Sequence, residues 1–221
     1  MDRSIDDLLS DVAAGRLSAA DGAARLRRLG YVSVGDFAFL DVARAARKGV
    51  PEVVFAEGKS VDQVVAITRR FLEHSAVVLC SRVTDEQAVA LAGSVDGALE
   101  HDPRSRVVVV RRPDAPPPKV RGAVGVLAAG TSDVGAAGEA VAMIRAMEVG
   151  AVTAFDVGVA GLVAVPVIGL PTSTGYGFGG RGEGALMGML QSCSPGLAVV
   201  NIDNGIGAGA TAALIARGAA G

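Results

Sequence analysis

The sequence predicts an α/β protein built on parallel strands, and three observations carry that expectation. Short apolar runs, among them Ala76 to Cys80, Arg106 to Val110, Ala123 to Ala128 and Leu197 to Ile202, are bounded by turn residues and read as buried strands. Helix-like stretches alternate with them, which is the βαβ rhythm of a parallel sheet. Polar, glycine-rich turns follow several of these runs, at the strand ends where open α/β sheets gather ligands. The 221 residues suffice for one sizeable α/β domain with a small appendage.

Composition excludes several classes of function. Half the residues are hydrophobic and a fifth are charged, as in a folded chain, yet no apolar run reaches the ~18 residues of a membrane helix. The acidic start, MDRSIDDLLSDV, lacks the basic and apolar regions of a signal peptide, so a cytoplasmic location is expected. A net charge of -2 without a Lys/Arg stripe argues against a nucleic-acid partner. Cys80 and Cys193 are far apart and not in ligand spacing, which disfavours a disulfide framework and a structural zinc. Cys80, at the end of an apolar run, reads as a core thiol.

Taken in order, Ser4 to Leu29 has the spacing of two short amphipathic helices, with Gly15 ending the first and Ser18 capping the second. Phe37 to Lys59 combines a charged helix-like piece around Asp41, Arg44 and Arg47 with a strand over Glu52 to Phe55. Ser60 with Gln63 forms a capping box for a helix through Leu72, which sets Lys59 before a helix N-terminus suited to an anion. Thr84 with Gln87 forms a second box, for a helix through Leu99. The prolines of Pro113 to Pro118 mark a boundary between residues 1–112, a helical hairpin plus a small α/β domain, and residues 119–221.

Beyond that boundary glycine becomes abundant and charge thins out. The strand Ala123 to Ala128 opens through Gly130, Thr131, Ser132 and Asp133 into a helix over Val134 to Glu148. Such a turn either presents backbone N–H groups to a phosphate or carboxylate, or only caps the helix. The strands Ala151 to Asp156 and Val163 to Leu170 lie only a few residues apart, whereas a parallel crossover takes a dozen or more. They therefore form a hairpin, or a helix-containing piece is absent. Cys193 sits in a Ser-Cys-Ser-Pro-Gly turn before the strand Leu197 to Ile202, which closes on Asn201, Asp203, Asn204 and Gly205. Spacing alone leaves it a buried hydrophobe or a nucleophile.

Six motifs in order, GVPEVVFAEGK, AGTSD, DVGVAGL, PVIGLPTSTGYG, MLQSCSPG and VVNIDNG, resemble the LarB family of nickel-pincer cofactor biosynthesis. The likeness runs from about Asp41 to the end and implies a PurE-like C-terminal domain, a flavodoxin/Rossmann-like three-layer α/β fold. It further implies carboxylation of the pyridinium ring of nicotinic acid adenine dinucleotide and hydrolysis of its phosphoanhydride. The products would be AMP and pyridinium-3,5-biscarboxylic acid mononucleotide.

By the resemblance Cys193 is the nucleophile, and Ser132 and Asp133 belong to a pocket motif shared with PurE-type carboxylases. Asp133 and Asp156 are the carboxylates placed to move the ring proton. Lys59, Gly130, Thr131, Thr172, Ser173, Tyr176, Asn201, Asp203, Asn204 and Gly205 are candidates for holding substrate. Carbon dioxide or bicarbonate would be the co-substrate, Mg²⁺ the assisting ion, and no organic prosthetic group is called for. The metal ligands are not identified by sequence. PurE-type folds assemble as octamers, so a homo-oligomer is expected.

The chain departs from that family after Leu162, where a His-Arg pair, a helix, a strand ending in an AGMEGAL-like motif and a second helix are expected. Here Val163 follows directly, so roughly one βαβ step is absent. Val42-Ala43 also stands where the family usually has histidines. Alternative readings are a nucleotide-binding member with impaired catalysis and an AIR-carboxylase-type enzyme, the latter disfavoured because that chemistry needs no thiol.

Overall fold

The computed structural model describes residues 5–28, 30–44, 48–155, 166–174, 180–192 and 196–220. Two helices come first, α1 (Ile5–Ala13) and α2 (Ala19–Arg28), separated by a turn in which Gly15 takes the left-handed conformation. Ser18 accepts a hydrogen bond from the Asp21 N–H, as its capping role requires. An antiparallel hairpin follows, β1 (Tyr31–Val34) with β2 (Ala38–Asp41), pairing Val32 with Leu40. Asp41 therefore ends a strand, which corrects the expected helical reading at that residue.

A four-stranded sheet comes next, from β3 (Val53–Phe55), β4 (Val77–Ser81), β5 (Ala98–Asp102) and β6 (Val107–Arg111) in the order β3-β4-β6-β5. β3 and β4 are parallel, joined through α3 (Val61–Leu72); β6 runs antiparallel to both β4 and β5. Both predicted capping boxes are present, Ser60 with Gln63 on α3 and Thr84 with Gln87 on α4 (Asp85–Ser94). The second helix is shorter than expected: it stops at Ser94, and Gly97 leads into β5. A Cβ on Gly97 would lie 2.5 Å from the Arg111 carbonyl oxygen, so only glycine lets the two strands approach there.

Strand alternation divides β4 between two cores. Val78 and Cys80 face one cluster with Val64, Ile67, Phe71 and Leu91 from α3 and α4, to which the hairpin adds Val32 and Leu40. Leu79 points the other way, joining Val107 to residues beyond the proline segment, including Val141, Met143 and Ile144. These belong to α5 (Val134–Ala146), which thus lies between the first sheet and the strands that follow.

Those strands form two separate parallel pairs. β7 (Ala123–Ala128) pairs with β8 (Gly150–Phe155), and β9 (Val167–Gly169) with β10 (Leu197–Val199). α6 (Glu183–Leu190) packs on β10, while α7 (Gly205–Ala219) packs against α5, β7 and β9. β8 and β9 do not pair, so the hairpin alternative is excluded for the described residues. The expectation that β7 is a buried strand also needs correction. Val126 and Ala128 are buried against the helices, but Leu127 on its other face, with Val152 of β8, is exposed. A parallel sheet normally carries helices on both faces, and this one is covered on one.

Candidate functional site

β7 delivers a tight turn at its carboxyl end. Gly130 is extended, Thr131–Asp133 form a single 3₁₀ turn, and α5 begins at Val134. The Asp133 N–H donates to the Gly130 carbonyl (3.0 Å), and the Gly130 N–H donates to Asp133 Oδ2 (3.3 Å). The other carboxylate oxygen reaches across to the loop after β9. Asp133 Oδ1 accepts from Thr172 Oγ1 at 2.8 Å and from Thr174 Oγ1 at 2.9 Å. Asp133 therefore ties the loop after β9, through two donors, to its own turn, through a third, a stronger engagement than an N-cap alone. Thr131 and Ser132 are left exposed on the turn.

The loop after β10 meets the same place from the other side. Asp203 Oδ1 accepts from the Ser173 N–H (2.8 Å), and the Asp203 N–H donates to the Pro171 carbonyl (2.9 Å). Asp203 holds this position with φ +57, a conformation uncommon for a residue with a side chain. Asn204 caps α7, its Oδ1 accepting from the Gly207 N–H (2.8 Å), while its own N–H donates to the Asn201 carbonyl (3.1 Å). Gly205 admits a close helix crossing: a Cβ there would lie 2.3 Å from the Ala136 carbonyl oxygen and 2.7 Å from Glu139 Cβ. Of the sequence-predicted residues, Asp133, Thr172, Ser173 and Asp203 thus form one hydrogen-bonded set, while Asn204 and Gly205 build the helix beneath it.

Lys59 lies on the other half of the molecule. Its Nζ does not extend over the N-terminus of α3 but folds back to the Phe55 carbonyl (2.6 Å). Cys193, Asp156 and Tyr176 lie outside the described residues.

Sequence reasoning missed the seam that joins the two halves. Glu139 of α5 is buried, and its Oε1 accepts from the Ser81 hydroxyl at 2.6 Å. Burial raises the Glu139 pKa, outweighing the Ser81 hydrogen bond and the nearby Arg82 and Arg106. Arg82 Nη2 donates to the Asp203 carbonyl (3.4 Å) and Nη1 to Glu57 (3.3 Å). Arg106 braces this corner, donating to the Arg82 carbonyl (3.1 Å) and the Val83 carbonyl (3.2 Å). Arg82, Arg106 and Asp203 all have positive φ, and such costly conformations persist only where the surroundings impose them. The available signal was Glu139 itself, an acid set among Ala137, Ala140, Val141 and Ile144 on a helix face that is otherwise apolar.

Cys80, the one cysteine among the described residues, is shielded from chemistry. Cys80 is fully buried beside Thr68 (Sγ to Oγ1 3.3 Å), and burial pushes its thiol up to about 11.

Fold and site together define a mixed α/β protein, with parallel and antiparallel strand pairs, whose candidate site is assembled from loops at the carboxyl ends of β7, β9 and β10. The family model for the LarB/PurE-like N-terminal domain matches residues 31–112, which span β1 to β6. The chain is also similar to the uncharacterised protein MJ0165 of Methanocaldococcus jannaschii, 32% identical with 98% of each chain covered. It belongs to the LarB/PurE-like family, a carboxylase-related family. The match to MJ0165 extends over 256 residues, more than the 221 of this chain, so the relative carries residues with no counterpart here.

Proposed function

We propose that the protein acts on nicotinic acid adenine dinucleotide, carboxylating its pyridinium ring and hydrolysing its phosphoanhydride. The observation that carries this reading is the clamp of Asp133 on Thr172 and Thr174, with Ser173 bound to Asp203 alongside. It joins the AGTSD, PTST and IDNG motifs of the family resemblance into one site.

In this mechanism the Cys193 thiolate adds to a ring carbon of the pyridinium, forming a C–S bond and converting the ring into an enamine-like nucleophile. The neighbouring carbon attacks carbon dioxide, forming the new C–C bond. A base takes the proton from that carbon, for which Asp156 and Asp133 are the candidates. Because the Asp133 carboxylate already accepts three hydrogen bonds, Asp156 is the stronger candidate for the proton and Asp133 for holding the loop. Expulsion of the thiolate breaks the C–S bond and restores the aromatic ring. Water then cleaves the anhydride to AMP and the biscarboxylated mononucleotide.

Among the described residues no group of three or more His, Cys, Asp or Glu side chains is placed to hold a metal. Mg²⁺ often takes only one or two carboxylates together with substrate phosphates and water. Asp203 would serve as that carboxylate, and the ion would offset phosphate charge during hydrolysis. Leu127 and Val152 on the open face of β7 and β8 support the proposal of a homo-oligomer.

A second reading, a nucleotide-binding protein with impaired catalysis, is favoured by the separation of β7–β8 from β9–β10. Incubation with nicotinic acid adenine dinucleotide and bicarbonate separates the two. AMP release with a carboxylated product supports the enzyme, and binding without turnover supports the alternative.

A further inference from the structure

We propose that Phe55, Lys59 and Arg82 form the subsite for the adenylate half of the dinucleotide, an inference that rests on the function proposed above. Phe55 ends β3, an edge strand, and nearly half of it (47%) is exposed, so core packing does not account for an aromatic ring there. Two cations attend that ring. Lys59 Nζ lies 6.0 Å and the Arg82 guanidinium carbon 5.4 Å from its centroid, both within cation–π range.

The arrangement is held in place before any ligand arrives. The buried Gln87 donates through Nε2 to the Lys59 carbonyl (2.8 Å) and the Ala56 carbonyl (3.3 Å), fixing the loop that carries Lys59. Arg82 is fixed by Arg106 from behind and by Glu57 and the Asp203 carbonyl in front. Through that last contact the platform adjoins the loop bearing Asp203. The edge of one half of the molecule thus faces the strand-end site of the other.

A half-exposed aromatic ring with two cations over it suits a flat base attached to a phosphate, the base taking a cation's place against the ring. The ring offers stacking, and the ammonium and guanidinium offer charge to the phosphate. Either ring of the dinucleotide is flat, but electrostatics distinguishes them. A pyridinium carries positive charge and would be repelled by Lys59 and Arg82, while the neutral adenine would not. The carboxylates of Asp133 and Asp203 across the seam are the better neighbours for the pyridinium end.

The test is AMP binding by isothermal titration calorimetry, with ribose 5-phosphate as a probe that keeps the phosphate and lacks the base. The wild-type protein should bind both. Phe55→Ala should weaken AMP about ten-fold, the size of one lost base stack, leave ribose 5-phosphate unchanged, and be rescued by Phe55→Tyr. Lys59→Met should weaken both ligands. No AMP binding by the wild type, or equal AMP affinity in Phe55→Ala, overturns the subsite. If carboxylation proceeds while Phe55→Ala leaves AMP affinity intact, the subsite falls and the function stands. If AMP binds through Phe55 but no carboxylation occurs, the function falls and an adenylate site remains.

Discussion

Replacing Gly209 with alanine should destabilise the protein, because α5 and α7 cross there with no room for a methyl group. A Cβ on Gly209 would lie 2.5 Å from the Ala140 carbonyl oxygen, 2.9 Å from Ala140 Cα and 3.0 Å from Met143 Cβ. The first distance is about 0.8 Å short of the ~3.3 Å at which carbon and carbonyl oxygen normally touch. Two of those atoms are backbone, so no rotamer change relieves the overlap and the helices must separate. Overpacking of this kind costs about 1–3 kcal/mol, and the ~1 kcal/mol by which alanine exceeds glycine in helix propensity offsets part of it. Gly218 lies in the same helix with nothing within 4 Å of its would-be Cβ. There the same substitution should stabilise by about 0.4–1 kcal/mol. Urea unfolding followed by far-ultraviolet circular dichroism reads both, with Gly209→Ala lowering the midpoint and Gly218→Ala raising it. Equal shifts of the same sign would refute the close-crossing argument.

Three further outcomes follow from the same contacts. The Glu139 carboxyl, raised by burial, contributes stability that is fully present below the ordinary value of 4.5 and is lost as pH rises through its folded pKa. Glu139→Gln still accepts from Ser81, so its thermal midpoint should match the wild type near pH 4 and exceed it near pH 8, by a pH-resolved melting series. Asn204→Ala removes the cap on Gly207 and should cost about 1 kcal/mol, lowering the melting temperature by roughly 2–4 °C in calorimetry. A thiol reagent at pH 8 should modify no more than one of the two cysteines before unfolding, since Cys80 is buried with its pKa near 11; mass spectrometry of the labelled peptides checks which.

Local chemistry made much of this molecule legible from its sequence. The capping boxes at Ser60 and Thr84 and the turn from Gly130 to Asp133 each rest on contacts within four residues, and each appears where the residue types place it. The hairpin of β1 and β2 was equally local: YVSV and AFLD flank Gly35 and Asp36, a turn signal between alternating runs that the helical reading of Asp41 overrode. β5 was less legible, because Ala98–Asp102 reads ALEHD, with no β-branched or aromatic residue to mark it, and pairs only through β6. The clamp of Asp133 on Thr172 and the bond from Ser81 to Glu139 join residues 39 and 58 positions apart, and no spacing rule reports such contacts.

The break after β8 connects sequence, fold and function. Residues 156–166 are too few for a helical crossover, and β9 pairs away from β8. The 256-residue match to MJ0165 fits a chain shorter than its relative by about one βαβ step. Two parallel pairs spanned by α7 fit a sheet from which such a step is missing, with Leu127 and Val152 on a face that is left exposed.

The proposed reaction is tested most directly by mass spectrometry of the products formed from nicotinic acid adenine dinucleotide and isotopically labelled bicarbonate. The account predicts AMP together with a mononucleotide bearing one labelled carboxylate, and the loss of both in Cys193→Ala. AMP without label in the ring, or labelled product formed equally fast by Cys193→Ala, would contradict it.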